Sequence, residues 1–520
     1  MVKFSSYDPL FLIDWTQPDS LLRRLFPLTQ PITRLLTMRF ITALLCLLLP
    51  TISVFAVSLP PVIGNHMVLQ RDLPVPIWGW GEKGEKITVT FAGQSKSATV
   101  GKNGKWMLKL DKLKANAKPS NLTVRGNNEI KLENILVGEV WICSGQSNME
   151  WKVAQCANGK EEIAAANHSA IRLFDVPGHT VHPLPQDKGK GEWKVCSPST
   201  IASFSATGYY FGRRLHKELN IPIGLVGSNW GGTRIEPWTT LDGFKSVPEL
   251  SEQAKSVAAY TADKKVGGAS PSAIYNSMVH PLTPYAMRGA IWYQGESNGA
   301  EGITYYQKKH ALVKGWRKAF QNPNLGFYWV QLCNFRKPGT IPGGGDGWAK
   351  IREAQTQALD LKHTGMAVII DLADAHNPND IHPKNKQDVG GRLAQWALHQ
   401  TYDKKNMVPS GPLYSGHKIK GNQIHLSFKN VGKGLMVGKK EKLEPTKEIK
   451  DGTLKHFSIA GADKKWHWAE AKIVSGQVVL SSKEVKTPVA ARYAFTMNPA
   501  DANLYNKEGL PAGPFRTDDW

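Results

Sequence analysis

The fold of this chain is decided by the stretch Ile135-Leu136-Val137-Gly138-Glu139-Val140-Trp141-Ile142-Cys143-Ser144-Gly145-Gln146-Ser147-Asn148-Met149, which is almost continuously apolar up to Cys143 and polar after it. Such an apolar run is typical of a strand that is buried on both faces of a parallel sheet. Gly145 permits a tight turn directly after this strand. The polar residues that follow, Ser147 among them, would then lie at the carboxyl end of the strand, where open α/β sheets bind their ligands.

Four further apolar runs lie downstream, at residues 221–227, 290–293, 327–332 and 366–371. Between these runs apolar residues recur at helical spacing, as in Phe211, Leu215 and Leu219 and again in Val389, Leu393 and Trp396. Buried strands that alternate with helices predict a parallel sheet covered on both faces. The predicted fold class is therefore α/β, with a three-layer α/β/α sandwich at its centre.

Both flanks of this region show the two-residue alternation of antiparallel strands instead. Val75 and Ile77 belong to such a set before the central region, and Ile424, Leu426 and Phe428 form one after it. We therefore predict β domains on both sides of the sandwich. The predicted segments are an upstream extension at 1–37, a signal peptide at 38–56, an N-terminal β-sandwich domain at 57–133, the α/β domain at 134–403 with a surface insertion near 240–272, and a C-terminal β domain at 404–520.

The composition limits the classes of protein to which the chain can belong. Its 520 residues predict about two to four domains. The formal net charge is +22, from 65 basic and 43 acidic residues, but the basic residues are scattered and form no run of five or more. This distribution favours a solvated surface over an arm that binds nucleic acid. The composition excludes a collagen-like or disulfide-dense protein, and we expect no nucleic-acid partner.

The N-terminal region carries the pattern of a secretory signal. An apolar run at 41–57 follows Arg39 and ends in Val54-Phe55-Ala56, a small-x-small pattern that suits signal peptidase. The run is short for a membrane span, which needs about 20 residues. We predict cleavage after Ala56 and hence a secreted or periplasmic protein that does not contact the membrane after cleavage. An uncleaved anchor is the alternative, and the true start is either Met1 or Met38.

The cysteines and acidic residues predict neither a metal nor a cofactor. After removal of Cys46 with the signal, the four cysteines that remain permit two disulfides in three connectivities, among Cys143, Cys156, Cys196 and Cys333. No Cys-x-x-Cys pair is present, so we do not expect a structural zinc site. An alternative metal-binding set would be the acidic and histidine residues of one polar loop, namely Asp371, Asp374, His376, Asp380 and His382.

Polar segments after four predicted strands contain the groups that acyl transfer needs. A serine hydroxyl must lose its proton to a neutral imidazole, and a carboxylate must hold that imidazole by its other nitrogen. Ser147 could be the nucleophile, and His382, in a loop before a predicted helix, could be the base. Asp380 lies two residues before His382 and can reach its Nδ1. A lone serine in a polar turn is more typical of helix capping or turn hydrogen bonding than of catalysis. The joint occurrence of these groups after successive strands is what favours catalysis.

Backbone and side-chain amides in the same segments could stabilise the oxyanion of the tetrahedral intermediate. The amide of Ser147 itself is one candidate, and Gly231 can bring a second N–H close because it has no Cβ. The side-chain amide of Gln294 or Asn298 could supply a third donor.

Other residues near these segments could contact a substrate. Trp151 offers an aromatic face for a sugar ring, although buried tryptophan is equally good core material. Arg234 could bind a sugar carboxylate or hydroxyls, or form a structural ion pair with Glu236. Glu296 is a further candidate for substrate binding, or it could orient His382 in place of Asp380.

Taken together, the motifs resemble those of the sialate O-acetylesterase family, within the SGNH-type hydrolases. The resemblance rests on four motifs, Gly145-Gln146-Ser147-Asn148-Met149, Asn229-Trp230-Gly231-Gly232, Gln294-Gly295-Glu296-Ser297-Asn298 and Asp380-Ile381-His382-Pro383, and it extends from about residue 59 to the C-terminus. It implies an SGNH-like hydrolase domain with Ser147 as nucleophile, His382 as base and Asp380 as orienting acid. The wider superfamily has Asn in the third motif and Asp-x-x-His in the last. Here Gln294 is favoured as the side-chain donor over Asn298, and Asp371, Asp374 and Glu296 remain alternative acids.

The resulting hypothesis is a metal-independent serine esterase that removes O-acetyl groups from carbohydrates through an acetyl-enzyme. Its expected partner is an O-acetylated sugar or glycan, and no cofactor is needed. One alternative keeps the chemistry but acts on acetylated plant or microbial polysaccharide, such as xylan or xyloglucan. A second alternative is a non-catalytic carbohydrate-binding protein. The sequence leaves the oligomeric state open.

Overall fold

The computed structural model describes residues 56–520, so the predicted extension and almost the whole predicted signal peptide lie outside the described residues. The first strands to follow are β1 (Val68–Gln70), β2 (Val75–Trp80), β3 (Lys86–Phe91), β4 (Gln94–Thr99), β5 (Lys105–Leu110), β6 (Asn116–Arg125) and β7 (Glu129–Gly145). Strands β2 and β5 pair with each other, whereas β3 pairs with β4 and β6. Along β3 the apolar side chains Ile87, Val89 and Phe91 are buried and their neighbours are not, which is the alternation that the sequence predicts.

Strand β7 belongs to two parts of the molecule. Its first half pairs antiparallel with β6 and parallel with β1, while its second half is the centre of a sheet formed with later strands. Those strands are β8 (His168–Asp175), β9 (Trp193–Cys196), β10 (Ile223–Asn229), β11 (Gly289–Tyr293), β12 (Gly326–Val330) and β13 (Thr364–Ala367). The predicted boundary between residues 133 and 134 falls inside this one strand.

The central sheet has the strand order β13-β12-β11-β7-β10-β8-β9. Every pair is parallel except β8 with β9. Strands β7, β10, β11, β12 and β13 overlap the five apolar runs of the sequence, although β13 begins before its run and ends at Ala367. The predicted parallel α/β sheet is confirmed.

Helices cover both faces of this sheet, as the amphipathic patterns predict. They are α1 (Ser147–Glu150), α2 (Gly159–Ala165), α3 (Pro198–Ile201), α4 (Ala206–Leu219), α5 (Leu241–Lys245), α6 (Ser251–Ala258), α7 (Gly302–Ala319), α8 (Gly347–Gln357) and α9 (Lys386–Gln400). Trp141 and Cys143 of β7 share a core with residues of α4 and α9, while Val140 and Ile142 share the other core with residues of α7 and α8. The alternation explains why β7 is apolar at successive positions.

The predicted surface insertion near 240–272 contains α5 and α6. Their apolar side chains bury one another in a small cluster that also includes Ala311 of α7, namely Phe244, Val247, Leu250, Ala254 and Val257. The segment therefore carries a small core of its own against the outside of α7.

The C-terminal region is formed of antiparallel strands, as the alternation after Gly411 predicts. They are β14 (Leu413–Lys420), β15 (Gln423–Lys429), β16 (Leu435–Lys439), β17 (Lys447–Glu448), β18 (Phe457–Ala460), β19 (Trp466–Trp468), β20 (Glu470–Val474), β21 (Gln477–Ser481), β22 (Ala490–Tyr493), β23 (Leu504–Asn506) and β24 (Phe515–Arg516). They pair in the orders β14-β15-β21-β20, β17-β16-β23 and β19-β18-β22-β24. The buried Arg352 of α8 donates to the carbonyls of Thr496 and Met497 and so ties this region to the sandwich.

Two further findings of the structure concern the cysteines and the length of the helices. Cys143, Cys156, Cys196 and Cys333 are all free thiols, so neither of the two disulfides that their number permits is formed. Burial is the largest influence that raises the pKa of Cys196 and of Cys333 to about 12. Within residues 56–520 no helix is both long and apolar enough to cross a membrane.

Candidate active site

Three neighbouring strands of the central sheet end at the same level. In the strand register Gly145 of β7 pairs with Asn229 of β10 on one side and with Tyr293 of β11 on the other. Because these strands are parallel, the segments that follow them emerge at one edge of the sheet. Three of the polar motifs of the sequence are therefore brought together by strand pairing.

The turn after β7 places Ser147 at this edge. Gly145 has φ +142°, and a Cβ at this position would lie 2.1 Å from the carbonyl oxygen of Tyr293. Only glycine fits so close to the neighbouring strand. The chain then enters α1, of which Ser147 is the first residue. The Ser147 side chain is part-buried at the end of the sheet.

Ser147, His382 and Asp380 form a continuous line of hydrogen bonds, which we call the serine line. His382 Nε2 lies 2.9 Å from Ser147 Oγ. The other ring nitrogen, Nδ1, lies 3.0 Å from Asp380 Oδ1. The same carboxylate oxygen accepts the backbone N–H of His382 at 2.9 Å. The residues that the sequence predicts as nucleophile, base and orienting acid are thus in direct contact.

The predicted alternatives to Asp380 are engaged elsewhere. Asp371 is held by Arg392, with N–O distances of 2.6 and 2.8 Å, and Asp374 accepts the backbone N–H of His376. Glu296 accepts the Asn148 amide at 2.6 Å. Among the four acids only Asp380 is hydrogen-bonded to the imidazole, because the short Asp-x-His spacing lets its side chain fold back over its own loop.

The surroundings of His382 favour its neutral form. The indole of Trp151 stacks on the imidazole, with 5.0 Å between ring centroids and 18° between planes. Burial lowers the pKa of His382, the Asp380 hydrogen bond opposes this change, and the nearby Lys386 ammonium lowers the pKa further. The net pKa lies below the ordinary value of 6.5. A neutral imidazole is the form that can accept a proton from serine.

The backbone N–H groups that the sequence predicts as oxyanion donors are those of Ser147 and Gly231. As the first residue of α1, Ser147 has no intrahelical acceptor for its own N–H. Gly231 packs against Ser147, because a Cβ at this glycine would lie 3.3 Å from Ser147 Cβ. The Gly231 N–H donates to Glu150 Oε2 at 2.7 Å. The carboxylate of Glu150 thus occupies one of the predicted oxyanion donors.

The side-chain amides of the third motif form a separate group, which we call the amide cluster and define as Gln294, Asn298 and Glu236. Gln294 Nε2 donates to Asn298 Oδ1 at 2.7 Å and to the Thr233 carbonyl at 3.2 Å. Asn298 Nδ2 donates to Glu236 Oε2 at 3.2 Å. Gln294 and Asn298 are buried, with exposures of 0% and 1%. Their predicted role as oxyanion donors stays a prediction, and it would require these bonds to rearrange.

The residues predicted to bind substrate are held by protein contacts. Arg234 forms ion pairs with Glu236 and Glu301 and donates to the Ser297 carbonyl at 3.0 Å. The structural ion pair that the sequence offered as the alternative is therefore present. Trp151 stacks on His382 with one face of its ring. Glu296 accepts a hydrogen bond from the side-chain amide of Asn148. Whether Arg234, Trp151 or Glu296 also contacts a sugar stays a prediction.

Two residues that the sequence analysis did not single out connect these parts. Asn148, next to the nucleophile, donates to the carbonyl of Ile381 at 2.9 Å as well as to Glu296. Its Oδ1 accepts Lys386 Nζ. Burial lowers the pKa of Lys386 to about 8. Lys386 is the first residue of α9, and a positive charge at the N-terminus of a helix is unfavourable because of the helix dipole. This unusual position could have drawn attention to Lys386 in the sequence.

The comparisons with known proteins agree with the motifs. A family model described as "Carbohydrate esterase, sialic acid-specific acetylesterase" matches residues 137–399, about half of the chain. The sialate O-acetylesterase of Homo sapiens is 30% identical over 494 residues, which cover 87% of this chain and 91% of the human protein. That of Rattus norvegicus is also 30% identical and is covered to 93%.

This chain belongs to the sialate O-acetylesterase family. It is a carboxylic ester hydrolase of the carbohydrate esterase class, which confirms the resemblance given by the motifs. A carbohydrate acetylesterase from Xanthomonas citri has a similar structure, with a TM-score of 0.79 and 37% identity. The match covers 89% of this chain and all of that one. Because the match covers 89% of this chain, the similarity extends beyond the sandwich to the strand-rich flanks.

Proposed function

We propose that this family member hydrolyses O-acetyl esters of carbohydrates by a two-step mechanism in which Ser147 is the nucleophile. The observation that carries the proposal is the serine line, with 2.9 Å between Ser147 Oγ and His382 Nε2 and 3.0 Å between His382 Nδ1 and Asp380 Oδ1. These distances are those of a nucleophile, a general base and the group that orients the base.

In the first step Ser147 Oγ attacks the acetyl carbonyl carbon while its proton passes to His382 Nε2. Asp380 holds the Nδ1 proton and stabilises the imidazolium that forms. The tetrahedral intermediate then collapses, the bond to the sugar oxygen breaks, and His382 returns its proton to that oxygen. The products of this step are the free sugar hydroxyl and an acetyl ester on Ser147.

In the second step water replaces the sugar. His382 takes one proton from the water, and the hydroxide attacks the acetyl-enzyme. Collapse of the second tetrahedral intermediate breaks the ester bond to Ser147 Oγ, which takes the proton from His382. Acetate leaves, and the enzyme returns to its starting state without metal or cofactor.

The negative charge of each intermediate needs fixed donors, each worth about 10²–10³ in rate. We assign this role to the backbone N–H groups of Ser147 and Gly231. Because Glu150 Oε2 accepts the Gly231 N–H at 2.7 Å, the substrate carbonyl oxygen must displace this carboxylate. Glu150 is also bonded to His179 at 3.1 Å, a second partner that can hold it when it moves.

For the substrate we propose O-acetylated sialic acids. The proposal is supported by the sialate O-acetylesterases of human and rat, which match across most of their length. The Xanthomonas citri relative is described more broadly as a carbohydrate acetylesterase, and acetylated xylan is therefore the competing substrate. We further propose that the chain is exported, with cleavage after Ala56.

The test compares acetate release by the wild type and by Ser147→Ala on three substrates, an aryl acetate, O-acetylated sialic acid and acetylated xylan. We expect Ser147→Ala to lose about 10⁴-fold or more of the activity on all three. Equal rates in both proteins would remove Ser147 as nucleophile. Wild-type hydrolysis of xylan but not of the sialic acid would retain the mechanism and replace the substrate.

A further inference from the structure

The carboxylate of Glu150 lies beside the nucleophile, although the proposed chemistry gives it no step. Glu150 follows Ser147 by three residues in α1, and residues three apart lie on the same face of a helix. Its Oε2 accepts the Gly231 N–H at 2.7 Å. A Cβ at Gly231 would lie 3.1 Å from Glu150 Oε2 and 3.3 Å from Ser147 Cβ. The carboxylate and the nucleophile therefore pack against the same glycine.

The oxygen that occupies the Gly231 N–H is of the same chemical type as the product of the proposed reaction. Hydrolysis of an acetyl ester releases acetate, which is a carboxylate like the side chain of Glu150. Hydrogen bonds from an N–H to an ionised oxygen are stronger than those to a neutral oxygen. An empty oxyanion site would therefore hold the product acetate more tightly than the carbonyl of the neutral ester.

The second oxygen of Glu150 has a partner on the outer side of the site. Glu150 Oε1 lies 3.1 Å from His179 Nε2. The His179 ring stacks on Trp230, with 4.7 Å between centroids and 5° between planes. A Cβ at Gly268 would lie 3.1 Å from the Trp230 ring, so the predicted surface insertion packs against this tryptophan. The Glu150 side chain is 27% exposed, and it can move towards His179 without entering the core.

A tethered carboxylate competes for one N–H better than a dissolved carboxylate does. A group held on a short tether acts at an effective concentration of about millimolar or more, and dissolved acetate must exceed this concentration to replace Glu150. Asp175 adds a second acid nearby. Burial is the largest influence that raises the pKa of Asp175 to about 6, and the charge of Glu150 acts in the same direction. Acetate is repelled by these charges, whereas a neutral ester is not.

We propose that Glu150 is a specificity-determining residue that admits the neutral ester to the Gly231 N–H and excludes the product acetate from it. The inference rests on the proposed function, because it takes Gly231 as an oxyanion donor. When the second tetrahedral intermediate collapses, Glu150 Oε2 returns to the Gly231 N–H and acetate leaves. Glu150 transfers no proton and forms no covalent bond. Since the ester must displace the same carboxylate, Glu150 also raises KM.

The kinetic test measures the inhibition constant of sodium acetate during hydrolysis of an aryl acetate, with sodium chloride at equal ionic strength as the reference. In Glu150→Ala we expect this constant to fall about 10- to 100-fold, because the freed N–H can bind the charged product. KM for the aryl acetate should fall as well. Glu150→Gln keeps an acceptor without the charge and should lower the constant about three- to tenfold. Glu161→Ala, at an exposed position in the first turn of α2, is the control and should match the wild type.

A binding test without turnover compares Ser147→Ala with the double variant Ser147→Ala, Glu150→Ala. Carbon-13-labelled acetate is titrated and followed by NMR, and the double variant should bind it about 10- to 100-fold more tightly. Because this measurement needs no catalysis, it remains informative if Ser147→Ala keeps the wild-type rate and the proposed function fails.

Two results would overturn the proposal. One is an acetate affinity that is unchanged or weaker when Glu150 is replaced. The other is a 10²-fold loss of kcat with an unchanged inhibition constant, which would make Glu150 a structural support of the Gly231 turn. Thermal melting shows whether each variant is folded, and Glu150→Gln decides the question if Glu150→Ala does not fold.

Discussion

The serine line and the amide cluster lie at the same edge of the central sheet and are both built from polar residues, yet they differ in exposure and in hydrogen bonding. The side chains of His382 and Asp380 are 25% and 23% exposed. Gln294 and Asn298 are buried, and the side-chain N–H groups of both already have protein acceptors. The comparison teaches that residue type does not separate reactive groups from supporting ones. Reactive groups differ from supporting ones in the exposure of their side chains and in whether they still have free hydrogen-bonding groups.

The physical reason lies in what each group must do. A nucleophile and its base must exchange protons with a substrate, so they need an open side. A buried polar network is stable only when every member is paired, and a fully paired network holds a loop rigid. The amide cluster therefore fits a role in fixing the loops around Ser147.

We expect the largest loss of activity when the base of the serine line is replaced. We expect His382→Ala to lose about 10⁴-fold or more of kcat on an aryl acetate, and Ser147→Ala with His382→Ala to lose little more than either change alone, because the two residues act as a unit. His376→Ala, in the same loop, is the control and should keep its activity. Loss of activity in His376→Ala and retention in His382→Ala would transfer the base role.

The next variant asks which carboxylate belongs to the serine line. Asp380→Asn should lower kcat by about 10²–10⁴-fold, because the imidazole loses the charge that stabilises its protonated form. Glu296→Gln should have a much smaller effect, since Glu296 contacts Asn148 and not the imidazole. The reverse order of the two effects in steady-state kinetics would show that Glu296 is the orienting acid.

The amide cluster should respond in stability rather than in chemistry. Asn298→Ala removes the hydrogen bonds that Asn298 makes with Glu236 Oε2, with Gln294 Nε2 and with the buried backbone N–H of Ile235. We therefore expect the free energy of unfolding to fall by about 1–3 kcal/mol in urea denaturation. Asn324→Ala, at an exposed position, should change it little. A 10²-fold loss of kcat at unchanged stability would instead make Asn298 an oxyanion donor.

The smallest expected effect concerns the charge beside the base. Lys386 lowers the pKa of His382, and removal of this charge makes the imidazolium easier to form. In Lys386→Met the acidic limb of the kcat/KM profile should therefore move to higher pH. The exposed Lys384→Met is the matched control and should leave the limb in place. A limb that does not move in Lys386→Met would show that the Lys386 charge does not contribute to the pKa of His382.

Much of the fold follows from local pattern. The apolar run that becomes β7 and the helical spacing of Val389, Leu393 and Trp396 predicted the parallel sheet and one of its covering helices, because burial on two faces leaves a continuous apolar record in the sequence. The alternation around Ile87 and Val89 predicted the antiparallel strands in the same way. The sequence did not predict that the long strand β7 pairs with two different sets of strands, because both of its halves show only the pattern of a strand.

The sequence likewise predicted only part of the candidate site. The sequence by itself determined which motifs carry a serine, a histidine and an acid, and that they follow strands, because these are properties of neighbouring residues. Only the tertiary structure decided that Asp380 rather than Glu296 meets the imidazole, that Trp151 stacks on His382, and that the Gly231 N–H is occupied by Glu150. The Trp151 and Gly231 contacts join residues far apart in the chain, and strand register and loop packing select their partners. Asp380 is close to His382 in sequence, but only the conformation of their loop decides that it, and not a more distant acid, reaches the imidazole.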